Sequence, residues 1–266
     1  MAQMGETARL ITIPLSHYCE KARWGLELGG VRFREEAHVP GFHVLAVKAA
    51  GGRRSTPVLV TAGGVYPDST DILQYVDRSA PERRLYPVEP GARAEVERLE
   101  DRFDEELGPH ARRALYYHLL PRPDLTIPMM GAGTPLIEQR LLPFSYPMLR
   151  RVMTRALRIT PVSAERSRVK VRAIFDEVSA RLADGRRFLV GDRFTAADLC
   201  FAALAAPCVL ARGYPISLPS IVRLPPEAAA IVRELQGTPA GAFVARMYNE
   251  HRHIRGERPS SQAWER

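Results

Sequence analysis

Apolar and polar positions alternate in two different ways along the chain. From Ala8 to about Asp77, short β-rich runs take turns with helical ones. Arg9–Pro14 predicts a strand, and Glu20–Leu28 spaces its apolar residues as a helix that stops at Gly29-Gly30. Val31–Val39 returns to strand character, and His43–Ala50 predicts a further helix. Pro57–Val60, a turn at Ala62-Gly63-Gly64, and Val65-Tyr66 form a hairpin pattern. Asp68-Ser69-Thr70-Asp71 then caps a helix carrying Ile72, Leu73, Tyr75 and Val76. The order β-α-β-α-β-β-α predicts a small mixed sheet with helices on its faces.

After Ala80 the texture changes. Residues 81–91 are rich in proline and charge and are expected to link two domains. From residue 92 to 250 the spacing is helical. Ala92–Leu120 places Val96, Leu99, Phe103, Leu107 and Ala111 three or four residues apart, Val169–Leu182 repeats the pattern, and Thr195–Val209 is apolar nearly throughout. Between them, Pro121 to about Arg166 carries Pro121, Pro123, Pro128, Pro135, Pro143, Pro147 and Pro161. A short helix over Pro147–Leu157, with Arg150, Arg151, Arg155 and Arg158, is the one element expected there. The segment shows no clean apolar face, so it is expected to serve as a pocket lid or solvated surface and not to touch a membrane. Residues 251–266, with His251 and His253, have the polarity of a mobile tail rather than a metal site.

Composition narrows the function classes. At 266 residues, with 45% apolar and 26% charged positions, the chain suits one large or two ordinary globular domains. The formal charge of +8 raises nucleic acid as a partner. However, only Lys21, Lys48 and Lys170 are lysines among 38 basic residues, and the arginines are scattered, so no nucleic-acid partner is expected. Met1–Thr7 shows no basic region leading into an apolar stretch, which makes the cytoplasm the expected compartment. Cys19, Cys200 and Cys208 are too few for a disulfide framework or a four-ligand zinc site, so no metal is expected. Cys200 and Cys208, on an apolar helix, belong to the core. Trp24 is expected to pack against the sheet.

Candidate chemistry gathers in the first half. Ser16-His17-Tyr18-Cys19 joins the first strand to the first helix, where unpaired amides and the helix dipole favour an anion. Thr56-Pro57 opens the third strand after Arg53-Arg54-Ser55, and Asp68-Ser69 begins the third predicted helix.

In this order and spacing the three features resemble the cytosolic glutathione transferases, in particular the serine-type theta, zeta and bacterial-like members. In that family a Ser-x-x-Cys or a variant follows the first strand, a cis-proline opens the third, and Glu/Asp-Ser starts the third helix. Phe188–Asp198 resembles the family's capping motif, with Thr195 capping the buried helix and Asp198 three residues on returning the bond.

The resemblance implies a thioredoxin-like N-terminal domain over residues 1–80 and an all-helical, electrophile-binding domain over 92–250. It implies that Ser16 activates the thiol of glutathione, a co-substrate, for attack on a small hydrophobic electrophile. Thr56 and Pro57 would meet its cysteinyl unit, Asp68 and Ser69 its γ-glutamyl end, and His43, Arg53 or Arg54 its glycyl carboxylate. Tyr18 and Cys19 are accessory candidates, and Tyr116 and Tyr117 candidates for the electrophile pocket. Homodimerisation and a detoxifying role follow from the same likeness. The chain departs from it by Arg-Arg-Ser-Thr before the proline and by aspartate, not glutamate, at position 68. Two alternatives stay open: a glutathione-dependent reductase, lyase, isomerase or dehalogenase using Cys19, and a non-catalytic binding module on the same scaffold.

Overall fold

The computed structural model describes residues 7–252. Four strands, β1 (Ala8–Thr12), β2 (Phe33–Ala37), β3 (Val58–Thr61) and β4 (Gly64–Tyr66), form one sheet in the order β2-β1-β3-β4. β2 runs parallel to β1, pairing Ala8 with Phe33, while β3 runs antiparallel to β1 and β4 antiparallel to β3. The two faces of the sheet separate by alternation. Leu10 and Leu59 join the main core, whereas Ile11 and Val58 form a small separate cluster with Val47. Helix α1 (His17–Leu28) packs on α3 (Ser69–Ser79) so tightly that a Cβ on Gly25 would come within 2.1 Å of Leu73 Cδ2. Val47, the partner of Ile11 and Val58, comes from α2 (His43–Ala49).

The segment from Pro81 is a short 3₁₀ turn fixed by Asp77, whose Oδ1 accepts the amides of Leu85 and Tyr86 at 2.8 and 3.0 Å. Beyond it, α4 (Pro90–Arg102) and α5 (Gly108–Leu119) are not the single helix that the spacing predicts. They meet through a wider π turn at Phe103–Leu107. Pro109 supplies the reason, because it has no N–H to continue the regular ladder.

The proline-rich stretch differs most from expectation. It folds into α6 (Pro123–Gly131) and α7 (Leu136–Ala156), so the short helix expected over Pro147–Leu157 is the second half of a helix of 21 residues. An interior proline costs about 3 kcal/mol in isolation. Pro143 and Pro147 are nonetheless carried on the exposed side of α7, while its other side is anchored. There Leu142 and Tyr146 are buried, Tyr146 Oη donates to the Leu120 carbonyl at 2.8 Å, and Glu138 receives the Val39 amide at 2.8 Å. Tertiary packing overrides local propensity.

Helices α8 (Pro161–Arg181), α9 (Ala196–Val209), α10 (Pro226–Gln236) and α11 (Pro239–His251) complete the domain. α9 is its buried axis. Asp198 takes the Thr195 amide at 2.8 Å and the Leu189 amide at 2.7 Å, which is the capping arrangement expected of Thr195 and Asp198. Two positions assigned to the tail are ordered. His251 closes α11, and Arg252 is buried with its guanidinium on Glu20 and Glu27 of α1. Residues 253–266, including His253, lie outside the described range.

Candidate active site

Sheet topology gathers the three sequence features along one edge. β1 leaves the sheet at Thr12, and Ser16 follows it. Antiparallel pairing sets Ile11, near the end of β1, opposite Val58, at the start of β3, so Thr56-Pro57 enters beside the strand that Ser16 leaves. The Thr56–Pro57 peptide is cis. β4 pairs Tyr66 with Leu59, which returns the chain to the same edge just before Asp68 and Ser69 start α3.

Ser16 is the N-cap of α1, extended at φ −73° and ψ 120°, and half-buried. Its Oγ accepts the Cys19 amide at 3.3 Å and its carbonyl the Glu20 amide at 3.0 Å, leaving the His17 and Tyr18 amides without a partner inside the helix. The Ser16 and Thr56 hydroxyls both act to lower the Cys19 thiol pKa, against the larger effect of its burial. Cys19 itself has no solvent exposure and receives the Ile13 amide at 3.4 Å. Burial pushes its thiol pKa up, the opposite of what a nucleophilic cysteine needs.

At α3, Asp68 is exposed and its Oδ1 caps the helix by accepting the Thr70 amide at 2.8 Å, while Ser69 is buried. Thr70 belongs to a network that fastens the two domains. Its hydroxyl receives Lys21 Nζ at 2.9 Å, and Lys21 is paired with Glu100 at 2.8 Å and with Asp104. The spacing of apolar residues gave no sign of this, because Lys21 interrupts the apolar face of its helix and its partners lie about 80 residues downstream.

His43 and Arg54 do come together, but through the backbone. Gly41 N–H donates to His43 Nδ1 at 3.0 Å, so Nε2 carries the proton and donates to the Arg54 carbonyl at 3.1 Å. Both ring nitrogens are thus engaged in holding the loop before Thr56, and burial lowers the imidazole pKa. The Arg53 and Arg54 side chains are exposed.

Tyr18, an accessory candidate, has its hydroxyl committed elsewhere: it donates to the Asp104 carbonyl at 2.6 Å. The π turn explains why that carbonyl is available. With five-residue spacing its partner would be the N–H of residue 109, which is proline. Trp24 also departs from expectation. Its indole faces the helical domain, 4.8 Å from the Tyr248 ring, and its N–H donates to the His251 carbonyl at 3.0 Å.

Gly108, Arg112 and Tyr116 succeed one another at four-residue intervals and share one face of α5. That face meets α1. A Cβ on Gly108 would lie 2.1 Å from Tyr18 Oη, and burial pushes the pKa of the Tyr116 hydroxyl up to about 12. Tyr117 points away from this line and packs edge-on against His118.

Two groups here were not singled out in the sequence. His17 is buried with Nε2 unpartnered, and burial first, then Arg112, depress its pKa to about 3. Tyr214 reaches from the loop after α9 to donate to the Leu15 carbonyl at 3.2 Å, and that loop lines an open cavity of about 530 Å³. Among the described residues no group of three or more His, Cys, Asp or Glu is arranged to hold a metal ion.

Comparison with known proteins agrees with this architecture. The glutathione S-transferase N-terminal domain model matches residues 10–84, and the C-terminal domain model matches residues 161–229. Together they cover more than half of the sequence. The chain belongs to the glutathione S-transferase family.

Among solved structures, a glutathione S-transferase from Xanthobacter autotrophicus Py2 is similar at 19% identity and a TM-score of 0.58, covering 92% of this chain and 93% of that one. The β-etherase LigF from Sphingobium sp. strain SYK-6 is similar at 19% identity and 0.57, over 91% of this chain and 99% of that one. A Methylobacterium radiotolerans transferase in complex with glutathione sulfonate is similar at 21% identity and 0.53, over 90% and 95%. These likenesses establish the shared fold. No curated protein matches.

Proposed function

We propose that the chain is a glutathione transferase of the serine type, which activates the glutathione thiol for attack on a small hydrophobic electrophile. The observation that carries this reading is the convergence of Ser16, Thr56–cis-Pro57 and Asp68-Ser69 on one edge of the sheet. The relative bound to glutathione sulfonate adds support for the ligand.

In this reading the peptide lies along that edge. The backbone of Thr56 pairs with the cysteinyl unit, and the α-carboxylate of the γ-glutamyl group meets the amides that open α3 beside Ser69. Asp68, exposed at the same point, attracts the ammonium. The sulfur sits at the start of α1, where the Ser16 hydroxyl donates to it and the helix dipole favours its charge. A cysteine-like thiol has an unperturbed pKa of about 8.5, and each unit of depression corresponds to about 1.4 kcal/mol of thiolate stabilisation. The proton leaves to solvent, the sulfur forms a bond to the electrophilic carbon, and the leaving group departs with the electron pair, or the electrons are taken up by the acceptor in an addition. The α5 face carrying Arg112 and Tyr116 forms the other wall.

Dithiol or reductase chemistry through Cys19 is disfavoured by its complete burial and raised pKa. Retention on immobilised glutathione with turnover of a generic aryl halide tests the reading. Ser16→Ala is expected to retain glutathione binding and lose about 100-fold or more in kcat, the order found for removing one donor to a developing anion. Cys19→Ala is expected to keep both. Wild-type turnover in Ser16→Ala refutes the assignment, loss on Cys19→Ala moves the chemistry to the thiol, and binding without turnover in the wild type identifies a binding module.

A further inference from the structure

On α7, Ile137, Leu141, Phe144, Met148 and Val152 recur at intervals of four, three, four and four, which aligns them in one stripe. All five are exposed: Phe144 to 86%, Ile137 and Met148 to 63%. Scattered apolar residues on a surface are ordinary, but a continuous row about 22 Å long is not. The helix is not loose, because Glu138, Leu142 and Tyr146 bury its other side.

The stripe is edged by cations. Arg140 precedes Phe144 by one turn, and Arg151 and Arg155 stand seven residues beyond Phe144 and Met148, two turns along the same face. Arg150 and Arg158 are exposed nearby, and none of the five makes an ion pair among the described residues. The single acid on α7, Glu138, is turned inward onto His38 Nδ1 at 2.7 Å.

We infer that this face of α7 docks on an anionic phospholipid bilayer, the apolar stripe entering the headgroup boundary and the arginines meeting lipid phosphates. Charge selects this occupant over a second copy of the chain. A two-fold pairing of α7 with itself would bring arginine against arginine with no exposed acid between them. An anionic bilayer offers both the apolar depth and the opposite charge. The mode is surface docking, since no helix among the described residues is long and apolar enough to cross a membrane. Through Glu138, α7 is fixed to His38 and Val39 at the end of β2, on the sheet edge that carries the candidate site. A docked chain would hold that edge close to the bilayer.

Co-sedimentation with vesicles of phosphatidylcholine alone, or mixed with phosphatidylserine, tests this directly. The full chain is expected to bind the mixed vesicles in preference and to be released by salt. Arg151→Gln with Arg155→Gln is expected to weaken binding about 25-fold, about fivefold for each cation removed. Phe144→Ser with Met148→Ser is expected to weaken it at least tenfold. Both pairs are surface substitutions, and circular dichroism confirms that the fold is kept. Failure of the wild type to bind the mixed vesicles overturns the proposal, as does equal binding to both kinds. A dimer in light scattering that becomes monomeric in Phe144→Ser/Met148→Ser assigns the stripe to a second copy instead.

Discussion

Lys21 is a side chain whose removal tests how the two domains are joined. Its ammonium has no solvent contact and lies between Glu100 and Asp104, with the Thr70 hydroxyl as a further partner. Glu100 in turn accepts from Tyr86 Oη at 2.6 Å and from Thr70 at 3.0 Å. Burial opposes the lysine charge, and the surrounding acids override it to hold its pKa well above the ordinary value. Burial also raises the Asp104 pKa against the pull of Lys21. Lys21→Met keeps the methylene packing and deletes the charge, leaving two carboxylates facing each other in a buried seam. Removing one partner of a buried pair costs about 3–5 kcal/mol, which in a protein of this size lowers Tm by about 6–20 °C.

The pH dependence has a definite sign. Without the ammonium, the folded state relieves the two carboxylates by keeping a proton that the unfolded chain releases near its ordinary pKa of about 4. The variant therefore holds its stability below that pKa and loses it as the pH rises through the raised folded value. Thermal melts of wild type and Lys21→Met across acidic to neutral pH are expected to diverge towards neutrality. Adding Glu100→Gln and Asp104→Asn to Lys21→Met is expected to recover part of the loss. A loss below about 1 kcal/mol, or one independent of pH, refutes the ion-pair account.

Gly108→Ala places a Cβ 2.1 Å from Tyr18 Oη; chemical denaturation is expected to show a loss of about 1–3 kcal/mol, and glutathione-dependent turnover a parallel drop. No change would mean that α1 and α5 are free to separate. His17, neutral when buried with a pKa near 3, gives stability that is present above the unfolded value of 6.5 and lost as the pH falls towards 3. His17→Gln is expected to flatten the acid limb of the stability curve, and an unchanged limb would show that this imidazole does not control it.

Most of the first domain was legible in the sequence because its elements are short and locally signalled. Asp68 caps α3, Gly29-Gly30 ends α1, and the Ala62–Gly64 turn joins β3 to β4. The residues of the candidate site were singled out in the sequence too, and the strand order β2-β1-β3-β4, which the sequence left open, carries Ser16, Thr56 and Asp68 to one edge. What escaped depends on contacts distant in sequence. Lys21 needs Glu100 and Asp104, Tyr18 needs the carbonyl freed by Pro109, and Trp24 turns to Tyr248. Helix α7 escaped for a different reason. Its prolines conceal a helical repeat that only the anchoring of Glu138 and Tyr146 makes affordable. The exposed row on its far side becomes visible only once the helix is continuous.

Arg252 grips Glu20 and Glu27, and His251 receives the indole of Trp24, so α1 is fastened by residues made more than 220 positions after it. A nascent chain emerging from a ribosome can assemble its sheet and pack α1 on α3 early, yet the helix capped by Ser16 gains these last fastenings only when nearly all of the second domain has been synthesised. The last fastening of α1 is accordingly a late event in biosynthesis, and a nonsense codon shortly before position 251 would yield a shortened product whose first helix keeps its hold on α3, Glu100 and Asp104 but loses the grip of Arg252.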